Sequence, residues 1–249
     1  MREKVMKQGL FTVLENRALT ANVFRLYLAG DTSAITRPGQ FVNILLDGLY
    51  LRRPISVCDC EENRLVLIAK AVGKGTEKLR AVPVGEKLDL LTGLGNGYDT
   101  ALSGENPVLC GGGVGVPPLY FLARTLLAEG KKPTVLLGFN TASEIFYEKE
   151  FRELGCGVAV STVDGSAGKK GFVTDLLPPS YSYFYACGPE PMLKAVYKKT
   201  VTSGQLSFEK RMGCGFGACM GCSCKTLTGY KRICREGPVM KKEEILWED

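Results

Sequence analysis

From Gly9 to about Leu91 the chain alternates short apolar runs with turn residues. Short runs rich in β-branched and aromatic side chains, separated by turn pairs such as Pro38-Gly39 and Asp47-Gly48, are typical of strands. Six runs have this character: LFTVLE, VFRLYLAG, FVNILL, PISVCDC, RLVLIAK and KLDLLTG. Their close spacing predicts an antiparallel barrel or sandwich.

The pattern changes after a boundary that we expect near residues 103–106. A short apolar strand at 107–110 leads into a glycine loop, after which apolar residues recur at the spacing of an amphipathic helix: Leu119, Leu122, Ala123, Leu126 and Leu127. Further strands are predicted at 134–139, 157–163 and 183–186, with helices at 143–154 and 189–202. Alternating strands and helices indicate a parallel sheet covered by helices.

The last part of the chain loses this periodicity, becomes rich in Gly and Cys, and ends in the charged tail KKEEILWED. Such a segment is expected to be organised by a ligand rather than by a hydrophobic core. The predicted fold is therefore β plus α/β. It has an N-terminal antiparallel β-barrel at 1–102, a parallel-sheet nucleotide-binding domain at 103–205 and a small C-terminal segment at 206–249.

Composition narrows the functional classes. The 249 residues are 45% hydrophobic and 23% charged, which is ordinary for a soluble globular protein. The net charge of +6 is dispersed, with no basic stripe, so we expect no nucleic-acid partner. The N-terminus lacks an apolar signal sequence, and the apolar stretch PPLYFLARTLLA is too short to span a bilayer. We therefore expect a cytoplasmic protein with no membrane partner.

The chain contains ten cysteines and no histidine. Cytosolic thiols are kept reduced, so metal ligands, redox groups or small core residues are expected rather than disulfides. General acid–base catalysis most often uses histidine. Hydride transfer between cofactors and single-electron transfer need none, because the cofactors carry the chemistry. The composition therefore favours a redox relay over a hydrolase.

The stretch GCGFGACMGCSCK at 213–225 carries the most specific motif. Cys214, Cys219 and Cys222 follow the C-x4-C-x2-C spacing of a plant-type [2Fe–2S] site, with Cys234 downstream. Glycines between them allow the backbone to wrap closely around inorganic sulfide. Zinc is an alternative, although structural zinc sites usually pair two short knuckles. Buried cysteines without a metal are another, and Cys224 is either a spare thiol or a replacement for Cys222.

Two loops of the α/β region suit a nucleotide. The first follows a strand and contains Gly111, Gly112, Gly113 and Gly115. Backbone amides and the next helix could bind a pyrophosphate there, although the GxGxxG pattern is absent and a tight structural turn is the alternative. The second loop, Cys187-Gly188-Pro189, closes the last strand of the same sheet. Both are expected to face one cleft, with Cys187 either bordering a bound ring or lying in the core.

Motifs of the first region are weaker individually. Arg52 and Arg53 place two guanidinium groups beside a strand, which suits phosphate recognition. Gly75 and Thr76 add a backbone amide and a hydroxyl. Each of these could equally be a surface turn.

The order of the motifs is more specific than any one of them. Pro38-Gly39-Gln40-Phe41, Arg53-x-x-Ser56, Gly75-Thr76, the glycine loop and Cys187-Gly188-Pro189 together resemble the ferredoxin–NADP reductase superfamily. With the C-terminal cysteines added, residues from about 5 to 240 resemble the electron-transfer subunits of NAD-dependent (type 1B) dihydroorotate dehydrogenases, which have two different subunits.

The resemblance implies a relay. Electrons would pass from FMN in a catalytic partner subunit, across a [2Fe–2S] cluster, to FAD and then to NAD⁺, within a heterotetramer of pyrimidine biosynthesis. FAD would be held in the barrel by Arg53, Pro54, Ile55, Ser56, Ile68, Ala69, Lys70, Gly75 and Thr76; many superfamily members have tyrosine in place of Pro54. NAD would be held by Gly111, Gly112, Gly113, Gly115, Gly188 and Pro189, with Cys187 beside the nicotinamide as the catalytic residue. The cluster ligands would be Cys214, Cys219, Cys222 and Cys234.

Other functions fit the same residues. The small subunit of a bifurcating NADH-dependent ferredoxin–NADP oxidoreductase, or the flavin subunit of a sulfhydrogenase, would share the cofactors and differ in partner. A zinc-stabilised interaction protein would bind no flavin. NAD is favoured over NADP because no arginine follows the predicted strands and Asp164 would repel a 2′-phosphate, although Lys169 and Lys170 keep NADP open.

Overall fold

The six N-terminal strands close into an antiparallel barrel in a computed structural model, which describes residues 5–247. The strands are β1 (Lys7–Ala18), β2 (Val23–Ala29), β3 (Phe41–Ile44), β4 (Arg53–Glu61), β5 (Arg64–Lys70) and β6 (Lys87–Leu94). Their order around the barrel is β1-β2-β5-β4-β3-β6, which decides for a barrel over a sandwich. Alternate side chains such as Val42 and Ile44 fill its interior.

A short helix, α1 (Lys74–Arg80), connects β5 to β6. The Asn16 side chain on β1 holds the end of this connection, because its Nδ2 donates to the carbonyls of Arg80 at 3.0 Å and Val82 at 2.8 Å. The polar connection is therefore fixed to the barrel wall.

The second sheet has seven strands in the order β10-β9-β8-β7-β11-β12-β15. Its elements are β7 (Val108–Gly112), α2 (Pro117–Ala128), β8 (Thr134–Phe139), α3 (Glu148–Glu153), β9 (Gly157–Thr162), β10 (Lys169–Lys170), β11 (Phe184–Cys187), α4 (Glu190–Lys199) and β12 (Gly204–Ser207). All pairings from β10 to β12 are parallel, as the alternation of strands and helices predicts.

The helix predicted at 143–154 is shorter than expected. A 3₁₀ turn occupies Ala142–Glu144, and α3 begins only at Glu148. Between them Tyr147 has a φ of 64°, a left-handed conformation that interrupts helical hydrogen bonding. The Tyr147 ring is buried and packs edge-on against Tyr120 of α2. Tertiary packing of this ring therefore overrides the helical pattern.

The C-terminal segment forms a hairpin of β13 (Ser223–Thr226) and β14 (Gly229–Arg232), then β15 (Val239–Lys241). β15 pairs antiparallel with β12, so the large sheet is mixed rather than wholly parallel. Ile233, Met240 and Ile245 are buried in one core with the α/β sheet. The expectation that a ligand alone organises this segment is therefore wrong: isolated apolar residues without periodicity supply a real core.

The barrel and the α/β domain meet where α2 packs on β4. Arg124 of α2 forms an ion pair with Asp59 of β4 at 2.6 Å and donates to the Cys60 carbonyl at 2.6 Å. Burial raises the pKa of Asp59 even though Arg124 opposes the shift. Within residues 5–247, no helix has the length and apolar character needed to cross a membrane.

Candidate functional site

The four predicted cluster cysteines lie in two pairs. Cys214 N donates to Cys219 Sγ at 3.4 Å, and Cys219 N donates back to Cys214 Sγ at 3.4 Å. Cys222 Sγ lies 3.3 Å from Cys234 Sγ. Across residues 5–247 no three Cys, Asp or Glu side chains converge as the ligands of one metal ion would. Two thiol pairs fit a two-iron cluster in which each iron takes two cysteines.

Cys224 lies apart from these pairs. It is on β13, and its Sγ faces the carbonyl of Lys231 across the hairpin at 3.6 Å. Cys222, by contrast, is buried beside Cys234. The geometry favours Cys222 over Cys224 as the third ligand.

Backbone amides surround the first cysteine. Ala218 N donates to Cys214 Sγ at 3.2 Å, in addition to the amide of Cys219. Burial opposes ionisation of this thiol, but hydrogen bonds from the amides of Cys219, Phe216 and Ala218 and from the Cys219 side chain outweigh it and lower the pKa of Cys214 to about 6. Amides that favour a thiolate also favour added negative charge on a metal–sulfur cluster. The loop is therefore suited to hold a cluster that accepts an electron.

The loop conformation depends on two glycines and one ion pair. Gly215 and Gly217 have φ values of 78° and 96°, a region that other residues rarely adopt. Arg232 Nη1 donates to the Gly217 carbonyl at 2.7 Å, while Arg232 Nε donates to Glu236 at 2.9 Å. The Arg232 guanidinium also lowers the pKa of Glu236 to about 2. This pair fixes the ligand loop to the strand that leads to Cys234.

Asn96, in the linker that follows β6, attaches the same segment to the barrel. Its Nδ2 donates to the carbonyls of Glu236 at 2.9 Å and Val239 at 2.7 Å, and its Oδ1 accepts from Val239 N at 3.1 Å. The sequence reading missed both Asn96 and Arg232. Asn96 lies between Gly95 and Gly97 and has the character of an ordinary turn residue, so nothing local reveals its long-range contacts.

Two predicted FAD motifs of the barrel lie in contact. A Cβ on Gly75 would lie 2.1 Å from Arg53 Nε, so the guanidinium of Arg53 occupies the space over the glycine. Thr76 Oγ1 accepts hydrogen bonds from the amides of Val72 at 2.9 Å and Gly73 at 3.2 Å. The Thr76 hydroxyl therefore shapes the loop, and the Arg53 guanidinium, whose Nη1 donates to the Leu51 carbonyl, lies over Gly75.

The remaining predicted FAD residues lie on β4 and β5. In the β3–β4 register, Pro54 is opposite Asn43 and Ser56 is opposite Phe41, which places Pro54 and Ser56 on the outer face of the barrel. Ile55 packs against the barrel interior. On β5, Ala69 is in the barrel core, Ile68 packs towards the α/β domain, and Lys70 is the last residue of the strand. Ala69 is therefore buried, whereas the Ile55 side chain is only partly buried.

The two loops of the α/β domain also meet, because β7 and β11 are parallel neighbours. A Cβ on Gly115 would lie 2.2 Å from the Cys187 carbonyl oxygen, and one on Gly112 would lie 2.3 Å from Met192 Sδ and 3.3 Å from Pro189. Gly111 packs against α2, and Gly188 packs against Met192. Gly113 alone of these has open space around it, at a φ of 51°. Most of the glycines therefore allow the loops to pack, and Gly113 has open space where a side chain would lie.

Cys187 ends β11 beside this cleft. Burial raises the pKa of its thiol to about 12, so the thiol is neutral at pH 7. Tyr98, which is buried in the linker between the domains, donates from its hydroxyl to the Ala186 carbonyl at 3.3 Å. Cys187 is therefore suited to form an uncharged wall beside a bound ring and not to act as a thiolate nucleophile.

Comparisons with known proteins agree with this geometry. Residues 209–246 match the model of the iron–sulfur cluster binding domain of dihydroorotate dehydrogenase B, and residues 109–198 match the oxidoreductase NAD-binding domain. The "dihydroorotate dehydrogenase B (NAD(+)), electron transfer subunit" of Geobacillus sp. (strain WCH70) is 42% identical over 97% of this chain and 100% of its own. That of Fusobacterium nucleatum is 40% identical over 94% and 96%.

The chain belongs to the dihydroorotate dehydrogenase B electron transfer subunit family.

Solved structures agree on the fold of this electron transfer subunit. A chain from the structure of NADH-dependent reduced ferredoxin–NADP oxidoreductase, described for flavin-based electron bifurcation, aligns with a TM-score of 0.87. The two chains are 30% identical, and the alignment covers 96% of this subunit and 90% of the other chain. The ferredoxin reductase of carbazole 1,9a-dioxygenase, at 23% identity and a TM-score of 0.68, shares the fold.

Proposed function

We propose that this chain carries electrons from an FMN-containing dihydroorotate dehydrogenase catalytic subunit to NAD⁺ in pyrimidine biosynthesis. Its cofactors are FAD in the barrel and a [2Fe–2S] cluster in the C-terminal segment, with NAD as a diffusible co-substrate. The proposal includes a cytoplasmic heterotetramer and a division into a barrel at 1–102, an α/β domain at 103–205 and a cluster segment at 206–249. When bound, FAD supplies the conversion of single electrons into a hydride.

One observation carries the proposal: the cluster segment packs on the outer face of the barrel strands predicted to hold the flavin. Asn96 fixes the segment through three side-chain hydrogen bonds, and Asn43 on β3 contacts the Cys214 carbonyl at 3.2 Å. Pro54 lies directly opposite Asn43. A relay needs its cofactor sites close together, and this packing supports neighbouring sites for the cluster and the flavin.

The chain's own residues have separate tasks in the relay. The pairs Cys214–Cys219 and Cys222–Cys234 would each hold one iron, and the amides at Cys214 Sγ would favour the reduced cluster. Arg53 over Gly75 would bind a phosphate of FAD.

On the NAD side, the open position at Gly113 would admit the dinucleotide phosphates. The neutral Cys187 thiol would border the nicotinamide without exchanging a proton at neutral pH. Hydride transfer needs no general acid, which agrees with a chain that contains no histidine.

The partner's docking face would surround Cys219. This cysteine is exposed, and the neighbouring Phe216 and Met220 have exposed fractions of 45% and 53%. Exposed aromatic and methionine side chains are enriched at protein interfaces. A catalytic subunit that covers this face would bring its own cofactor towards Cys219.

The testing experiment begins with the purified chain, assayed anaerobically for iron, acid-labile sulfide, flavin and zinc. The chain is then co-expressed with a candidate FMN-containing catalytic subunit and assayed for dihydroorotate-dependent NAD⁺ reduction. We expect equal iron and sulfide, bound FAD, and NADH formation only in the complex. Both cofactors without this activity would favour a bifurcating or sulfhydrogenase subunit, and zinc without flavin would favour the interaction protein.

A further inference from the structure

Met220 has a backbone conformation that suits glycine better than methionine. It lies between the predicted cluster ligands Cys219 and Cys222, and its φ is 60°. Residues with a Cβ rarely adopt this left-handed region, because the Cβ comes too close to the following carbonyl oxygen. In the same loop, Gly215 and Gly217 occupy the other positions with positive φ. Met220 is therefore strained at a position where glycine would relieve the strain.

The strained turn is held by contacts of the Met220 main chain. Its carbonyl accepts hydrogen bonds from Ser223 N at 3.1 Å and from Ser223 Oγ at 2.8 Å. Neither bond involves the side chain at position 220. A glycine at this position would therefore keep the contacts that lead the chain into Cys222.

The Met220 side chain does not pack within the part of the chain that the structure describes. Its exposed fraction is 53%, and it belongs to none of the three hydrophobic clusters of described residues. Backbone strain at a non-glycine residue costs free energy, and such residues concentrate at functional sites. A strained methionine that packs against nothing in its own chain indicates a contact with another molecule.

The surroundings of Met220 indicate which molecule this is. Cys219 is the exposed member of the predicted ligand set, whereas Cys222 and Cys234 are buried. An electron donor must therefore approach the cluster from the Cys219 side, and it would cover the adjacent Met220 and the exposed Phe216. Methionine adapts its shape to a facing surface and is enriched at protein interfaces.

We propose that Met220 is an interface anchor for the FMN-containing catalytic subunit, which buries this side chain when it covers Cys219. The inference rests on the proposed function, because it takes the electron donor as the occupant of this face. Methionine at position 220 then strains the isolated chain and strengthens the complex, so stability and affinity depend on this residue in opposite directions.

The test uses three substitutions of Met220 and one control. Met220→Gly removes both the side chain and the strain, Met220→Ala removes the side chain but keeps a Cβ, and Met220→Leu keeps the apolar bulk. Asn63→Gly is the matched control, because Asn63 is another exposed non-glycine residue with a positive φ, 57°. It lies in the turn between β4 and β5, outside the cluster segment.

Each full-length variant is purified anaerobically, analysed for iron and sulfide, and unfolded in urea. Its complex with the candidate FMN-containing catalytic subunit is then formed on an immobilised sample of that subunit, and the dissociation rate is measured. We expect Met220→Gly and Met220→Ala to dissociate about tenfold faster than wild type, because truncating an interface anchor acts mainly on dissociation. Met220→Leu and Asn63→Gly should dissociate at the wild-type rate.

The isolated chain provides the second half of the expected result. Met220→Gly should retain iron and sulfide and should unfold at a urea concentration no lower than that of wild type, because the strain is gone and the Ser223 contacts remain. If Met220→Gly does not fold, Met220→Ala decides by its dissociation rate.

Two results would overturn the inference. Wild-type dissociation rates in the folded truncated variants would show that the partner does not use this side chain. Loss of the cluster from isolated Met220→Gly and Met220→Ala, but not from Met220→Leu, would show that Met220 shields the cluster instead. A loaded wild-type chain that forms no complex with the catalytic subunit would refute the proposed function together with this inference, whereas an active complex with unchanged variants would refute the Met220 inference alone.

Discussion

Single residues decide which glycines of the loop allow close packing and which have open space beside them. A Cβ on Gly115 would overlap the Cys187 carbonyl. A Cβ on Gly113 would have no atom beyond the adjacent residues within 4 Å. The sequence shows four similar glycines, and local chemistry does not distinguish them. Their different roles arise from the neighbouring strand β11, which approaches Gly115 and leaves Gly113 open.

Gly115→Ala should therefore lower the free energy of unfolding by about 2–3 kcal/mol, because backbone atoms must move to admit the methyl group. Gly113→Ala is the matched control and should cost about 1 kcal/mol, since its positive φ is strained but its surroundings are open. Urea unfolding of both variants checks the difference. Equal losses would contradict the packing role of Gly115.

Glu236 provides a prediction on pH. Its pKa is lowered from 4.5 to about 2 by Arg232, so the pair contributes stability above pH 4.5 and loses it as the pH falls towards 2. Glu236→Gln should therefore have a lower urea midpoint than wild type at pH 7, with the difference shrinking between about pH 4.5 and pH 3. A difference independent of pH would mean that the charge of Glu236 does not contribute.

At the scale of elements, the cluster segment is held by polar contacts to a linker as well as by its small core. Asn96 makes three side-chain hydrogen bonds to Glu236 and Val239. Ile233 and Met240 are buried with the α/β sheet. The attachment of β15 to β12 depends on both kinds of contact, although the sequence there has no strand pattern.

Asn96→Ala should lower the free energy of unfolding by about 2–3 kcal/mol and speed loss of the cluster, because each lost hydrogen bond contributes about 1 kcal/mol. Asn16→Ala is the control: Asn16 also donates to carbonyls, at Leu79, Arg80 and Val82, but within the barrel. We expect Asn16→Ala to destabilise the protein to a similar extent but to leave cluster retention normal. Visible absorbance measures the cluster content of both variants. Equal cluster loss in both variants would show that general instability is the cause.

At the scale of the whole molecule, the barrel has an interior core of its own, and the cluster segment shares a second core with the α/β sheet and with Phe41, Leu91 and Leu94 on the outside of the barrel. The barrel should thus keep its cofactor when the cluster site is damaged. Cys219→Ser should lose the iron and sulfide while retaining FAD, because it breaks one thiol pair without touching the barrel. Cys224→Ser, outside both pairs, should retain both cofactors.

Metal and flavin analysis of the two cysteine variants provides the check. Loss of FAD together with iron in Cys219→Ser would show that the two sites fold as one unit. Loss of iron in Cys224→Ser would instead show that the loop is threaded with Cys224 as a ligand.

The sequence by itself determined the strand alternation of the barrel, the change to strands and helices near residue 103, and the cysteine spacing of the cluster. These are local properties: side-chain periodicity and ligand spacing are written in neighbouring residues. Tertiary structure decided the rest. The contacts Asn43–Cys214 and Asn96–Val239 join residues 171 and 143 positions apart, so no local pattern could indicate them. Tyr147 and β15 likewise depend on packing against distant elements, which override or replace local preference.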